Sequence, residues 1–405
     1  MTPEDANNSP LWSFIPLDRY AKPPELTREI VRRGFWGLWD RLRLHDKVPS
    51  NRFGQLELHP IAKDLLQQAV GEPDWREAEP ALDEECKDWL KSGGQFEPLH
   101  AVVGAPYSGT CFTVRYWGAD KNWRVIEPPA AGQLLTGARD WLNAIDPADE
   151  SPWVIPCLEK CYLRHHKGLE PVKELLEKLS SRRRATLVAC NSWAWAYLHK
   201  AVQIDLVLPA PLAPAPFDRN RLKRWFQSLT RFADEAPRAF RLPNRELVMA
   251  PAVQADESGQ EKEADFLAKL AAYSRGIPGV AWSIWRHSLR FTPGPKNDDG
   301  GGDSGEQEQT IWVTPWENLN LPGIPEENRG QLALILHTLL LHNGVSNRLL
   351  PELLPGLAAV LGQDLHKLRA AGLVELEHGE WRVTALGYPA VREFLEEGGY
   401  LVDAI

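Results

Sequence analysis

The chain has 405 residues, 43% hydrophobic and 25% charged, with a formal net charge of −9. That length suits roughly two to three domains. The acidic balance argues against a protein whose main work is coating nucleic acid, and the longest strongly apolar run, residues 332–341, is too short to span a bilayer. The five cysteines, Cys86, Cys111, Cys157, Cys161 and Cys190, are odd in number and the opening "MTPEDANNSP" is polar. Reduced thiols in the cytoplasm are therefore expected rather than a disulfide frame. Cys157 and Cys161 lie four apart with no second pair, which disfavours a zinc site. The seventeen tryptophans read as core and interface fillers.

Residues 1–25 carry prolines and little periodicity and form a loose or wrapping arm. The stretch "ELTREIVRRGFWGLWDRL" brings Ile30, Phe35, Leu38 and Trp39 towards one helical face, and "ALDEECKDWLKSGG" is a short helix stopped by glycines. Strand and helix signals then alternate. Residues 101–103 form a strand, "NWRVIEPP" another, and "AAGQLLTGARDWLNAI" a helix. "WVIPCL" is a strand, "LEPVKELLEKLSSRRR" a helix, and "ATLVACN" a strand. This alternation predicts a parallel α/β sheet with helices on its faces. "QADESGQEKEA" and "TPGPKNDDGGGDSGEQEQ" read as a loop and a linker or surface loop. Between them, "LAKLAAYSRGIPGVAWSIWRHSLRF" makes two helices around a Gly-Ile-Pro-Gly turn. The last 80 residues give three helices, two short strands around a His-Gly-Glu turn and a closing helix, the pattern of a winged helix.

Four pieces carry chemistry. In "LHAVVGAPYSGTCFTVRYW" an apolar strand leads into Gly104, four residues and Gly109. Such glycines let backbone N–H groups approach phosphate oxygens at a helix N-terminus. Gly104, Ser108, Gly109, Thr110 and Cys111 are the candidate phosphate-binding residues; a tight strand-to-helix turn is the plainer alternative. The phosphate-loop pattern G-x-x-x-x-G-K-[ST] wants lysine where Thr110 stands and a hydroxyl where Cys111 stands. In "WVIPCLEKCYLRHH", Glu159 is the carboxylate in reach of a strand end. It is the candidate to hold magnesium or orient water, or else it solvates the strand end; His165 and His166 read as a solvated loop. Asn191 ends the next strand and either senses an outer phosphate or turns the chain. Arg286 and Arg290 lie four apart on a helix of the lid, where an arginine could reach a phosphate or pair with surface carboxylates.

In this order the pieces resemble the AAA+ class of P-loop ATPases, and its STAND-type and initiator-like members with a winged helix behind the lid. The resemblance covers residues 88–405. It implies a P-loop NTPase-like parallel sheet with a helical lid followed by a winged-helix domain. It divides the chain into an N-terminal helical arm (1–90), an α/β domain (91–235), a lid with an acidic, Gly-rich loop (236–310) and a winged helix (311–405). It places the phosphate loop at 104–111, the magnesium strand at 154–159, a first sensor near Asn191 and a second near Arg286, with ATP as cofactor. The family's inter-subunit arginine has no assigned position here; Arg182, Arg183 and Arg184 form a basic cluster.

Two departures decide the expected activity: Thr110 replaces the loop lysine, and Cys157 sits where an aspartate belongs. Phosphoryl transfer rests on positioning and electrostatic stabilisation, and loss of one preorganised stabiliser costs on the order of 10²–10³ in rate. The expectation is a pseudo-ATPase that acts as scaffold or regulatory partner in a protein complex, with magnesium unassigned. The alternatives are an active ATPase whose lysine role passes to a residue such as Lys121 or to a neighbouring subunit, and a DNA-binding regulator. From residue 326 onward six Lys and Arg face eleven Asp and Glu, a balance of −5. The third helix of that module offers Lys367, Arg369 and His366 while the wing carries Glu375, Glu377 and Glu380. Phosphate neutralisation drives non-specific DNA binding, so protein partners are favoured over nucleic acid.

Overall fold

The structure is a computed structural model that describes residues 10–24, 52–53, 56–57, 59–91, 97–165, 167–230, 239–250, 263–291 and 310–405. The helix expected at 25–42, the two polar stretches (all but residues 263 and 264) and His166 lie outside these residues. The chain forms two compact units. One comprises Trp12–Ala21, Asp74–Ala215 and Leu321–Ile405; the other comprises Met1–Leu11, Lys22–Pro73 and Pro216–Asn320. The C-terminal segment thus shares a unit with the α/β sheet.

That sheet has six strands. In spatial order they are Phe14–Pro16, Leu212–Pro214, Leu99–Gly104, Thr186–Asn191, Trp153–Ile155 and Arg124–Val125. All neighbours pair in parallel except Phe14–Pro16, which runs antiparallel along the edge. The arm expected to be loose therefore supplies an edge strand. Helices cover both faces, so the central strands read as unbroken apolar runs. On one face Ala101, Val103, Trp153, Ile155 and Val188 pack with Leu175, Leu179 and Leu198. On the other, Val102, Val154, Leu187 and Ala189 pack with Leu82, Cys86, Val114 and Trp117. Leu99–Gly104 lies between Leu212–Pro214 and Thr186–Asn191, so the order of strands reverses at its carboxyl end. In an open α/β sheet this switch point is where ligands bind.

The helix expected across 130–145 is broken into Ala131–Leu135 and Arg139–Asn143. Gly137 (φ 88) and Ala138 (φ 48) turn left-handed between them and end the first piece. Arg182 is 1% exposed. It donates to Thr186 Oγ1 and to the carbonyls of Asp149 and Ser151, and its guanidinium lies 3.4 Å from the Trp153 ring centroid. This arginine braces the sheet.

In the C-terminal segment the helices Arg329–Leu341, Leu350–Leu353, Leu361–Ala370 and Tyr388–Glu397 surround a small sheet ordered Val345–Ser346, Glu380–Val383, Val374–Glu377. His378 and Gly379 both have positive φ and close the two-residue turn of the hairpin. Arg329–Leu341 is apolar on nearly every side and is the buried centre of the segment.

The second unit carries the helices Arg219–Leu229, Phe266–Tyr273 and Pro278–Ser288. It also has a five-stranded sheet ordered Leu247–Met249, Ala239–Arg241, Thr310–Val313, Leu289–Phe291, His59–Pro60. The expectation of a helical region at 236–310 missed these strands. The three that lie wholly inside that region, Ala239–Arg241, Leu247–Met249 and Leu289–Phe291, are three residues long, shorter than the runs of about four to eight from which a strand is read. Among the described residues no helix is long and apolar enough to cross a membrane.

Candidate functional site

The strand Leu99–Gly104 runs buried into the loop, and the helix Thr110–Asp120 begins behind Gly109 at φ 77. Both glycines are required by close approach. A Cβ on Gly104 would sit 1.9 Å from Thr110 Oγ1 and 2.4 Å from Ser108 Oγ; one on Gly109 would sit 2.1 Å from the Trp75 ring. Trp75 therefore lies over the end of the loop, and its carbonyl accepts from Thr113 Oγ1 at 3.0 Å. Ser108 Oγ donates to the Ala105 carbonyl at 2.7 Å and lies 2.8 Å from Thr110 Oγ1. A serine hydroxyl has one proton, so Thr110 is the donor in the second bond. At the lysine position the chain thus has neither a charge nor a hydroxyl proton facing outward.

Cys111 and Cys157 are joined by a disulfide with Cα atoms 5.7 Å apart. This corrects the expectation of five free thiols; Cys86, Cys161 and Cys190 are free and buried. The bond ties the first turn of the loop helix to the end of the strand Trp153–Ile155. It does so at the two positions where a magnesium ligand and an aspartate would belong.

Glu159 lies beyond that strand in a short turn and is 2% exposed. Its Oε2 accepts from the Asn191 backbone N–H at 3.1 Å and its Oε1 from Asn343 Nδ2 at 3.4 Å. Burial pushes its carboxyl above the usual carboxylate range; these hydrogen bonds and Lys160 oppose the shift. Asn191 caps the next helix, its Oδ1 accepting from Trp193 N–H at 2.8 Å, while its Nδ2 donates to the Leu340 carbonyl at 3.4 Å. Both ends of the side chain are engaged.

The C-terminal segment supplies two residues that sequence reasoning did not single out, Asn343 and Arg382. With Trp75, Glu159, Asn191 and the loop they line a cavity of about 170 Å³. Arg382 Nη2 donates to Glu380 Oε2 at 2.9 Å, and its buried Nε has no partner. Gly344 makes room for it, since a Cβ there would lie 2.8 Å from Arg382 Cγ. Lys160 Nζ donates to Glu380 Oε2 and the Gly344 carbonyl. Burial works against ionisation of Glu380, but Lys160 and Arg382 outweigh it and hold its pKa below the usual value. A guanidinium therefore borders the glycine loop from a segment more than 270 residues downstream in the sequence. No local pattern signals it.

Lys121 is not the substitute. It caps the far end of the loop helix, about 16 Å along its axis, where it pairs with Asp83. Arg286 belongs to the other unit. There it donates to Gln67 Oε1 and the Val70 carbonyl and lies over the Trp282 ring. Arg290 donates to the carbonyls of His287 and Leu289. In the C-terminal segment, Lys367 pairs with Glu327 at 2.8 Å.

The parallel sheet, with a glycine loop at its switch point and a helix opening behind it, fits a P-loop ATPase fold. No protein-family model matches the sequence, and no curated protein is similar to it. Solved structures with slight similarity include the following three. A Walker-type ATPase of Pyrococcus abyssi has 14% identity over 78% of this chain and 95% of its own, with a TM-score of 0.30. The ORC2 protein of Aeropyrum pernix has 12% identity over 82% and 96%, with a TM-score of 0.32. Cdc6p from Pyrobaculum aerophilum has 13% identity over 80% and 95%, with a TM-score of 0.29. At that level of likeness the fold rests on the strand order and the loop themselves.

Proposed function

We propose that this chain is a degenerate AAA+-like nucleotide-binding protein. It would bind the phosphates of ATP or ADP without hydrolysing ATP, and act as a scaffold or regulatory partner in a protein complex. The observation that carries this reading is the pairing of Cys111 with Cys157 on the magnesium side of the loop. Hydrolysis needs a metal that bridges the outer phosphates and a carboxylate to hold it. The nearby carboxylate, Glu159, is buried and held by two neutral donors. Binding needs less. The backbone of the loop still ends at a helix N-terminus, which attracts anions, and Arg382 adds a cation able to form charge-assisted hydrogen bonds. We read the C-terminal segment as a winged helix that works through protein contacts, given its net acidity and the engagement of Lys367 by Glu327.

Arg382 also favours one competing reading, an ATPase whose loop cation comes from the C-terminal segment. Isotope-labelled ATP separates the two. The pseudo-enzyme reading expects saturable binding with turnover at background; turnover well above background that disappears in Glu159→Gln would replace it with the competing one.

A further inference from the structure

We propose that the reduced pair Cys111 and Cys157, together with Glu159, forms a binding site for a thiophilic divalent cation of the zinc class. The inference concerns the metal side of the loop and stands whether or not a nucleotide binds.

The three donors come from three places: the first turn of the loop helix, the end of the strand Trp153–Ile155 and the turn after it. Their ligand atoms nevertheless all lie within 4.8 Å of one another. Tetrahedral zinc with bonds of about 2.3 Å to sulfur and about 2.0–2.2 Å to oxygen sets its donors about 3.5–3.8 Å apart. The Cα atoms of the cysteines, 5.7 Å apart, allow that spacing by side-chain rotation. A second observation points to a cation independently. Glu159 is a buried carboxylate that forms no ion pair among the described residues; the lysine beside it, Lys160, is bonded to Glu380 and the Gly344 carbonyl. A buried charge without a counter-charge is costly, and a bound cation would neutralise it.

The chemistry of the donors selects the ion. Thiolates prefer zinc-class ions over magnesium, which seeks oxygen ligands. Two thiolates, one carboxylate and a divalent ion leave one net negative charge. Arg115 Nη2, 4.0 Å from Cys157 Sγ, is paired with Glu127 at 2.7 Å and so offsets that charge only in part. A cavity of about 500 Å³ borders all three donors and leaves room for water as fourth ligand. The disulfide form cannot bind. A dithiol or phosphine reductant must first deliver two electrons to break the Sγ–Sγ bond, becoming oxidised itself and leaving two thiols. The cation then displaces their two protons as the metal–sulfur bonds form.

The test uses the full chain, reduced with a phosphine, freed of reductant without oxygen and titrated with cobalt(II) as a visible zinc surrogate. The expected result is one equivalent bound, with a sulfur-to-cobalt charge-transfer band that zinc abolishes. Protein left oxidised gives no band. Cys111→Ser and Cys157→Ser each remove a ligand and weaken binding by about 100-fold or more, at or above the upper end of the loss seen for an outer-shell partner, and Glu159→Gln weakens it while keeping the band. Cys86→Ser behaves as wild type, and circular dichroism of each variant confirms folding. The proposal is overturned if the reduced wild type, with five thiols counted, shows no band. It is equally overturned if the band survives unchanged in Cys157→Ser, which would move the site to other cysteines.

Discussion

Replacing Asp403 with alanine should unfasten the C-terminal segment, because this carboxylate pins the chain end to the helix that follows Asn191. It accepts from Arg392 Nε at 3.2 Å, from Ser192 Oγ and from Tyr388 Oη at 3.5 Å. The Asp403 carbonyl also accepts from Arg392 Nη2 at 3.1 Å. The side chains of Arg392 and Asp403 are 6% and 0% exposed, so solvent screens the pair little. Breaking a buried pair from one side costs about 3–5 kcal/mol, because the remaining charge stays buried without its partner. Glu396, which accepts from Arg392 Nη1 at 2.7 Å but is 58% exposed, compensates part of this. For a unit of this size each kcal/mol moves the midpoint by about 2–4 °C, so Asp403→Ala should lower the calorimetric midpoint of this unit by about 6–20 °C. The double variant Arg392→Met/Asp403→Leu removes both charges and should recover much of the loss. A single variant within about 2 °C of wild type would refute the reasoning, since the pair would then not hold the segment.

The loop glycine offers a sharper contrast. Gly104→Ala forces a methyl against Thr110 Oγ1 and Ser108 Oγ, so nucleotide binding should be lost, whereas Gly132→Ala, with nothing within 4 Å, should be neutral or stabilising by up to about 1 kcal/mol; equal titration curves for the two would count against the loop geometry. Arg382→Gln removes a partly exposed cation already shared with Glu380, so nucleotide affinity should fall about tenfold, the effect of one charge-assisted hydrogen bond; unchanged affinity would show that Arg382 does not reach the phosphates. Burial, with Lys160 and Arg164 nearby, holds the pKa of His342 down to about 3, and burial holds that of His337 down to about 4. Both rings are neutral in the fold and protonate on unfolding below the ordinary value. Their contribution is therefore complete above about pH 6.5 and is lost as the pH falls towards 4 and then 3, at up to about 1.4 kcal/mol per pH unit for each. Denaturant unfolding at stepped pH should show a shallower slope for His342→Phe between pH 6 and 4.5; an unaltered slope would contradict the assignment.

Much of the α/β unit was legible in the sequence because its signals are local. The strands at Leu99–Gly104, Trp153–Ile155 and Thr186–Asn191 are buried on both faces and stand out as apolar runs. The helix Glu170–Ser180 carries Pro171 in its first turn and a regular leucine face. The loop was legible for the same reason: Gly104 and Gly109 occupy positions where steric demand leaves no choice. What could not be read depends on contacts made across the chain. Trp75 covers Gly109 from 34 residues upstream, Cys111 meets Cys157 across 46 residues, and Asn343 and Arg382 reach the loop from the C-terminal segment. A pair of cysteines carries no mark of its partner, and an arginine on an acidic hairpin looks like any surface charge. Asn191 and Glu159 were found by their place at strand ends, yet the bond between them spans two separate strands and their bonds to Leu340 and Asn343 depend on how that segment docks.

Calorimetric titration of this chain with ATP, once with excess magnesium and once with a chelator, tests whether the phosphate site works without magnesium. The same affinity in both conditions, with no release of phosphate, is the expected result. Binding that requires magnesium, accompanied by turnover, would contradict it.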